Sequence, residues 1–151
     1  MTVVGLGLDV VDVAGFRAQL DLPGSGFVAA TFTAAEQRAA ATGAGETALR
    51  LAARFAAKEA FVKAWSAARR GRPPALAAVD LRQIEVVDDG FGRPALRFHG
   101  AVAAALTALA TEHGGPPVAH LSLSHDGPVA AATVVLDVAP ERLGAAPGST
   151  R

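Results

Sequence analysis

RFAAKEAFVKAW, from Arg54 to Trp65, decides the reading of this chain. It is rich in Ala and holds neither Gly nor Pro, so it is predicted to be helical. At roughly 100° per residue, Leu51, Phe55, Val62 and Trp65 fall on one apolar stripe. Arg54 and Lys58 fall inside that stripe, and Glu59 and Lys63 lie along its edge. An amphipathic helix ordinarily keeps its charges on the opposite face. Two readings stand side by side at this point. Arg54 and Lys58 snorkel while Glu59 pairs with Lys63 one turn on, or the buried charges meet a charged ligand or a metal.

Outward from this helix, the pattern predicts a strand over Val3 to Val13 and a short helical turn over Phe16 to Leu20. Thr33, with Glu36 three residues on, forms a capping box that opens a helix to about Ala41. The long helix is expected from about Glu46 to Arg69, followed by the basic, Pro-containing loop ARRGRPPALAA. Leu81 to Val87 and Ala95 to His99 are expected to pair as a hairpin around the turn Asp88 to Pro94. Ala101 to Glu112 is expected to be a helix. Val118 to Ser124 and Val129 to Val138 are expected to be strands around the turn His125 to Pro128. Strands and helices that do not alternate strictly imply an α+β fold. Residues 1–138 are expected to form one domain and 139–151 a disordered tail.

Composition narrows the function. The chain has 151 residues, no net charge and no cysteine. There is no global charge signal for nucleic acid or a membrane surface, and no disulfide or thiolate chemistry. The opening MTVVGLGLDV lacks the basic region of a signal peptide. No apolar run is long enough to span a bilayer, and a cytoplasmic protein is the expectation.

Asp9 stands in the middle of the apolar strand GLGLDVVDV. A carboxylate there is costly unless a cation or hydrogen-bond donors meet it, and the alternative is a solvent-facing acid at a strand end. Asp12, nearer the first helix, reads as an ordinary cap or an exposed acid. Two carboxylates from separate elements, Asp9 and Glu59, suit a Mg²⁺ ion that keeps its waters and binds substrate phosphates. The segment LSLSHDGPVAAATVVL puts Ser122 and Ser124 on one face of a strand, with His125 and Asp126 at its turn. No nucleophile elbow surrounds Ser124 and no triad is spaced for it. These groups suit hydrogen bonds to phosphate, or they form a polar turn with a structural histidine.

GLGLDVVDVAGF, FTAAE, RFAAKEAFVKAW, FGRP and LSLSHDGPVAAATVVL occur in an order and spacing that resemble the holo-acyl-carrier-protein synthases, the short single-domain class of 4′-phosphopantetheinyl transferases. The resemblance runs from Thr2 to about Val138. It implies an antiparallel sheet packed against a long helix, assembled as a homotrimer with active sites between subunits. It also implies Mg²⁺-dependent transfer of 4′-phosphopantetheine from coenzyme A to a serine hydroxyl of an acyl carrier protein of fatty-acid or polyketide synthesis, releasing adenosine 3′,5′-bisphosphate. By this resemblance Asp9 and Glu59 hold Mg²⁺ and Lys63 neutralises phosphoryl oxygens. Arg54, Lys58 and His125 face coenzyme A phosphates, and Ser122 and Ser124 line the pocket. Glu59, or a water it orients, is the expected general base. Glu36 caps its helix and orients the site.

Two departures matter. Gly15 stands where the family commonly has an Arg that grips the carrier, with Arg17 as a substitute. Arg69, Arg70 and Arg72 replace a glycine-rich turn, as a docking surface or as solvated charges. The competing reading is therefore a coenzyme A-binding module that has lost carrier docking.

Overall fold

Strand β1 (Thr2–Asp12) shows why the long helix sits where it does. In this computed structural model, which describes residues 2–43 and 45–139, the inward positions of β1 are Gly5, Gly7, Asp9 and Val11. A Cβ on Gly7 would lie 1.9 Å from the Ala60 carbonyl oxygen, and one on Gly5 would lie 2.1 Å from that of Ala64. The two glycines, facing two alanines, let helix α4 (Thr47–Ala68) rest directly on the strand backbone. That close approach carries Asp9, the next inward residue, to the side of α4.

β1 pairs antiparallel with β5 (Val129–Val138), which pairs antiparallel with β4 (Pro117–Asp126), giving the order β1-β5-β4. The register sets Asp9 opposite Ala132 and Leu123 opposite the same Ala132. A separate hairpin, β2 (Ile84–Asp88) and β3 (Pro94–Phe98), packs nearby. Its Phe98 ring lies 4.5 Å from Phe61 of α4. The α+β architecture expected from the sequence is the one observed.

Helix α1 (Val13–Leu20) is capped by Asp12, whose carboxylate accepts from Gly15 N–H at 2.7 Å. A five-residue helix, α2 (Phe27–Thr31), follows. No periodicity announces a helix this short, and the sequence does not anticipate it. Its Phe27 ring lies 5.7 Å from that of Phe16 in α1 and 5.7 Å from that of Phe55 in α4, and those two lie 5.6 Å apart. Helix α3 (Ala34–Thr42) opens with the capping box of Thr33 and Glu36. Helix α5 (Gly100–His113) buries Val102, Leu106 and Leu109 at helical spacing. It ends at Gly114, whose φ of 75° suits glycine.

The strand expected over Leu81 to Val87 starts late. Asp80 accepts from Arg82 N–H at 3.0 Å and winds Leu81–Gln83 into a 3-10 turn, so pairing begins at Ile84. Of the tail expected over 139–151, residues 140–151 lie outside the described residues.

Candidate active site

Three groups converge where β1 meets α4. Lys63 Nζ donates to Asp9 Oδ1 at 2.8 Å and to the Leu8 carbonyl at 3.0 Å. Glu59 lies one turn before Lys63 on the same helix and is half-buried. Burial of its carboxyl, and then the nearby Asp9 charge, push Glu59 above the usual glutamate range, while Lys63 pulls the other way. Like charges held together out of water are what a cation relieves. Among the described residues no cluster of three His, Cys, Asp or Glu surrounds a common point. A cation here would thus draw two protein carboxylates and take its other ligands from water or substrate. That donor set fits Mg²⁺.

A second group lies on another side of α4. Arg54 precedes Glu59 by five residues, about 140° around the helix. Its guanidinium donates to Asp88 Oδ2 at 2.9 Å and to the Arg50 carbonyl at 3.3 Å. The buried Arg54 Nε has no partner among the described residues. Arg54, Ser124 and His125 line one half-open cleft of about 430 Å³, with Arg50, Asp88 and Gly92. Asp9, Glu59 and Lys63 are not part of that lining. Ser122 points the same way as Ser124 but opens on a neighbouring hollow beside Arg93. Arg50, Asp88 and Gly92 were not among the expected site residues. FGRP marks the hairpin tip, yet nothing in the linear sequence sets that tip beside His125.

Lys58 corrects one expectation. It does not face a phosphate. Its side chain is 0% exposed and paired with Glu36, also 0% exposed. Nζ donates to Glu36 Oε2 at 2.8 Å, to the Leu81 carbonyl at 2.9 Å and to the Ile84 carbonyl at 2.7 Å. An ammonium has three donors, and all three are engaged. Burial pulls Lys58 below the usual lysine range, and the Glu36 charge opposes that pull. Glu36 also caps α3 and accepts from Val86 N–H at 2.9 Å. The pair is a joint among α3, α4 and β2, remote from solvent.

The geometry has relatives. Residues 5–132 match the model of the 4′-phosphopantetheinyl transferase superfamily. This chain belongs to that family. Within it the chain is an enzyme of the holo-acyl-carrier-protein synthase type. It is 44% identical over 137 residues to a holo-[acyl-carrier-protein] synthase of Mycobacterium sp. (strain KMS), covering 91% of this chain and 98% of the relative. Among solved structures it is similar to an ACPS–CoA complex of Chronobacterium ammoniagenes. That match has 43% identity and a TM-score of 0.79, and covers 89% of this chain and 97% of the other. An acyl carrier protein synthase of Mycobacterium tuberculosis matches at 38% identity and a TM-score of 0.67, over 91% of this chain and 100% of the other.

Three of the arginines expected at the surface of this synthase are paired within the chain. Arg17, in place to substitute at Gly15, is paired with Glu46. Arg69 and Arg72 both clasp Glu112, at 2.9 Å each, tying the end of α4 to α5. Arg70 is exposed.

Proposed function

We propose that the chain transfers 4′-phosphopantetheine from coenzyme A to a serine hydroxyl of an acyl carrier protein, with Mg²⁺, releasing adenosine 3′,5′-bisphosphate. The observation that carries this reading is the convergence of Asp9, Glu59 and Lys63 across the β1–α4 contact. In the reaction the serine oxygen attacks the phosphorus that bears pantetheine. A new O–P bond forms, the bridging P–O bond breaks, and its electron pair leaves with the bisphosphate. Positioning and charge stabilisation dominate such chemistry.

Each residue has a part. Glu59, with its raised proton affinity, takes the serine proton. Lys63 uses two donors on Asp9 and Leu8 and has a third for a phosphoryl oxygen. Asp9 orients Lys63 and joins Glu59 as the carboxylate pair for Mg²⁺, which supplies Lewis-acid stabilisation of the pyrophosphate when bound. Arg54, His125 and Ser124 take the nucleotide phosphates in the cleft, and Ser122 supports them from the adjoining hollow.

The two residue groups lie on different sides of α4, so a second copy of the chain completes each site. The outer face of β1 supports such assembly. Leu6, Leu8 and Val10 are 62%, 55% and 58% exposed there. An apolar row of this kind marks an interface. We take the assembly to be the homotrimer that the resemblance implies.

Intact-mass spectrometry of an apo acyl carrier protein, incubated with this chain and coenzyme A, tests the reading. A phosphopantetheine adduct that appears with Mg²⁺ and not with EDTA is the expected result. An unmodified carrier under both conditions, across several carriers, overturns it.

A further inference from the structure

The sheet face turned away from α4 carries one polar pair that the transfer chemistry leaves unused. The strand register sets Leu6, Val135 and His120 in one row across β1, β5 and β4. Nearer the end of the sheet it sets Val3, Asp137 and Val118 in another. Val3, Leu6 and Val118 are exposed, yet Asp137 between them is only 2% exposed. Its Oδ2 meets His120 Nε2 at 2.6 Å, and its Oδ1 is buried with no partner among the described residues. The His120 side chain is 52% exposed. A histidine that donates from one ring nitrogen to a buried carboxylate presents the other nitrogen as an acceptor. His120 Nδ1 thus stands, in a fixed direction, among apolar side chains. Once that face is covered, Nδ1 requires a donor, because a buried polar group left unpaired is costly. One cation stands at the same level of the sheet. Arg70, just past the end of α4, is exposed and borders a hollow with Val3, Val4, Gly5 and Leu6 of β1. Arg69 and Arg72 are both taken by Glu112, whereas Arg70 has no carboxylate partner among the described residues. Arg70 stands beside β1 and His120 on β4, with β5 between those strands.

We propose that Arg70 of a second copy of this chain donates to His120 Nδ1, and that Asp137 is the positioning residue that holds His120 for this contact. The inference rests on the assembled state taken above. In a ring closed by rotation, the β1 side of one sheet meets the β4 side of the next. With the strands along the ring axis, rotation keeps every residue at its own level. Arg70 of one copy then arrives at the row of Leu6, Val135 and His120 of the next. Charge favours this choice of partner. A buried carboxylate with one oxygen unmatched calls for a cation, and a guanidinium that reaches it through the imidazole supplies one. Leu6, Leu8 and Val10 give the face its apolar contact, but apolar rows tolerate sliding. A polar group that must find its partner fixes the register, and a site divided between copies needs that register.

Sedimentation equilibrium of the full-length chain, with Arg70→Met, His120→Leu and the double variant, tests the contact. Each single variant is expected to weaken association about tenfold, or 1.4 kcal/mol. The double variant is expected to be no weaker than either single one, because all three lose the same contact. Asp137→Asn, which keeps the shape and removes the charge, is expected to weaken association when Arg70 is present and to have no further effect in Arg70→Met. Circular dichroism checks folding. Arg70→Met alters only an exposed side chain, so its arm of the experiment stands even where Asp137→Asn unfolds. Single-variant effects that simply add in the double variant overturn the contact. So does an association constant indifferent to Arg70 and His120, including the case in which Arg70→Met raises only the KM for the carrier. A parent chain that sediments as a monomer overturns the assembled reading as well.

Discussion

Lys58 and Glu36 form an ion pair at 2.8 Å with neither side chain exposed to solvent. The lysine that the motif offers as a phosphate ligand is thus part of the scaffold. Two charges buried together are not cheap, but removing one is worse, because the other remains uncompensated. Lys58→Met is therefore expected to destabilise the fold by about 3–5 kcal/mol, read by urea unfolding. Adding Glu36→Gln to that variant should restore part of the loss. If Lys58→Met unfolds at the same urea concentration as the parent and instead raises the KM for coenzyme A, the lysine faces substrate after all.

The glycines of β1 make a second expectation. Gly7→Ala puts a methyl group 1.9 Å from the Ala60 carbonyl oxygen, where no real contact exists. Strand and helix must part, at a cost of about 3 kcal/mol. Because the same contact holds Asp9 beside Lys63, turnover should fall with stability. Gly90→Ala, which meets open space, is the control and should match the parent in unfolding midpoint.

Glu59 titrates above the usual glutamate range because of burial first and Asp9 second. A raised value in the folded state means that the charged form is disfavoured there. The resulting stability cost is absent at low pH, grows as pH rises through the window above the usual glutamate value, and is fully present once pH has passed the raised folded-state value. Asp9→Asn should lower the Glu59 titration midpoint and Lys63→Met should raise it. Carboxyl NMR of EDTA-treated protein measures both. Identical midpoints in the two variants would detach Glu59 from its neighbours.

Arg54 is held against Asp88 at the mouth of the His125 cleft. Hydrogen bonds from charged donors contribute about 1.5–3 kcal/mol. Arg54→Ala is expected to raise the KM for coenzyme A about tenfold to a hundredfold, with kcat within a few-fold. The KM for the carrier should not move. Steady-state kinetics with each substrate varied in turn separates these outcomes, and a loss confined to kcat would move Arg54 to the reacting centre.

Assembly gives a further check. Leu8 points outward from β1 and is 55% exposed. Leu8→Glu adds charge to the apolar row without touching the core. It is expected to shift the chain to monomer in sedimentation analysis and to abolish transfer, because each site then lacks its second half. An active monomer would mean that one chain holds a whole site.

Several elements are legible in the amino-acid order because their causes are local. Apolar spacing, the Thr33 and Glu36 capping box and the helix-stopping glycine at 114 act within a few residues. The helix over Arg54 to Trp65 and the strand around Asp9 follow from such signals, as does the α+β class. The five-residue helix Phe27–Thr31 does not, since one turn has no period to detect.

What the order of residues determined by itself was the set of misplaced charges: Asp9 in an apolar strand, and Arg54, Lys58, Glu59 and Lys63 on one helix. Only the tertiary structure decided which of them meet. Gly5 and Gly7 bring Asp9 to Lys63. A 3-10 turn and a capping glutamate from elsewhere in the chain close over Lys58. The hairpin tip reaches Arg54 through Asp88, 34 residues away. A charge pattern states that partners are required, because burying an uncompensated charge is too costly. Which partners arrive is set by the packing of distant segments, and that is written in no single stretch of the chain.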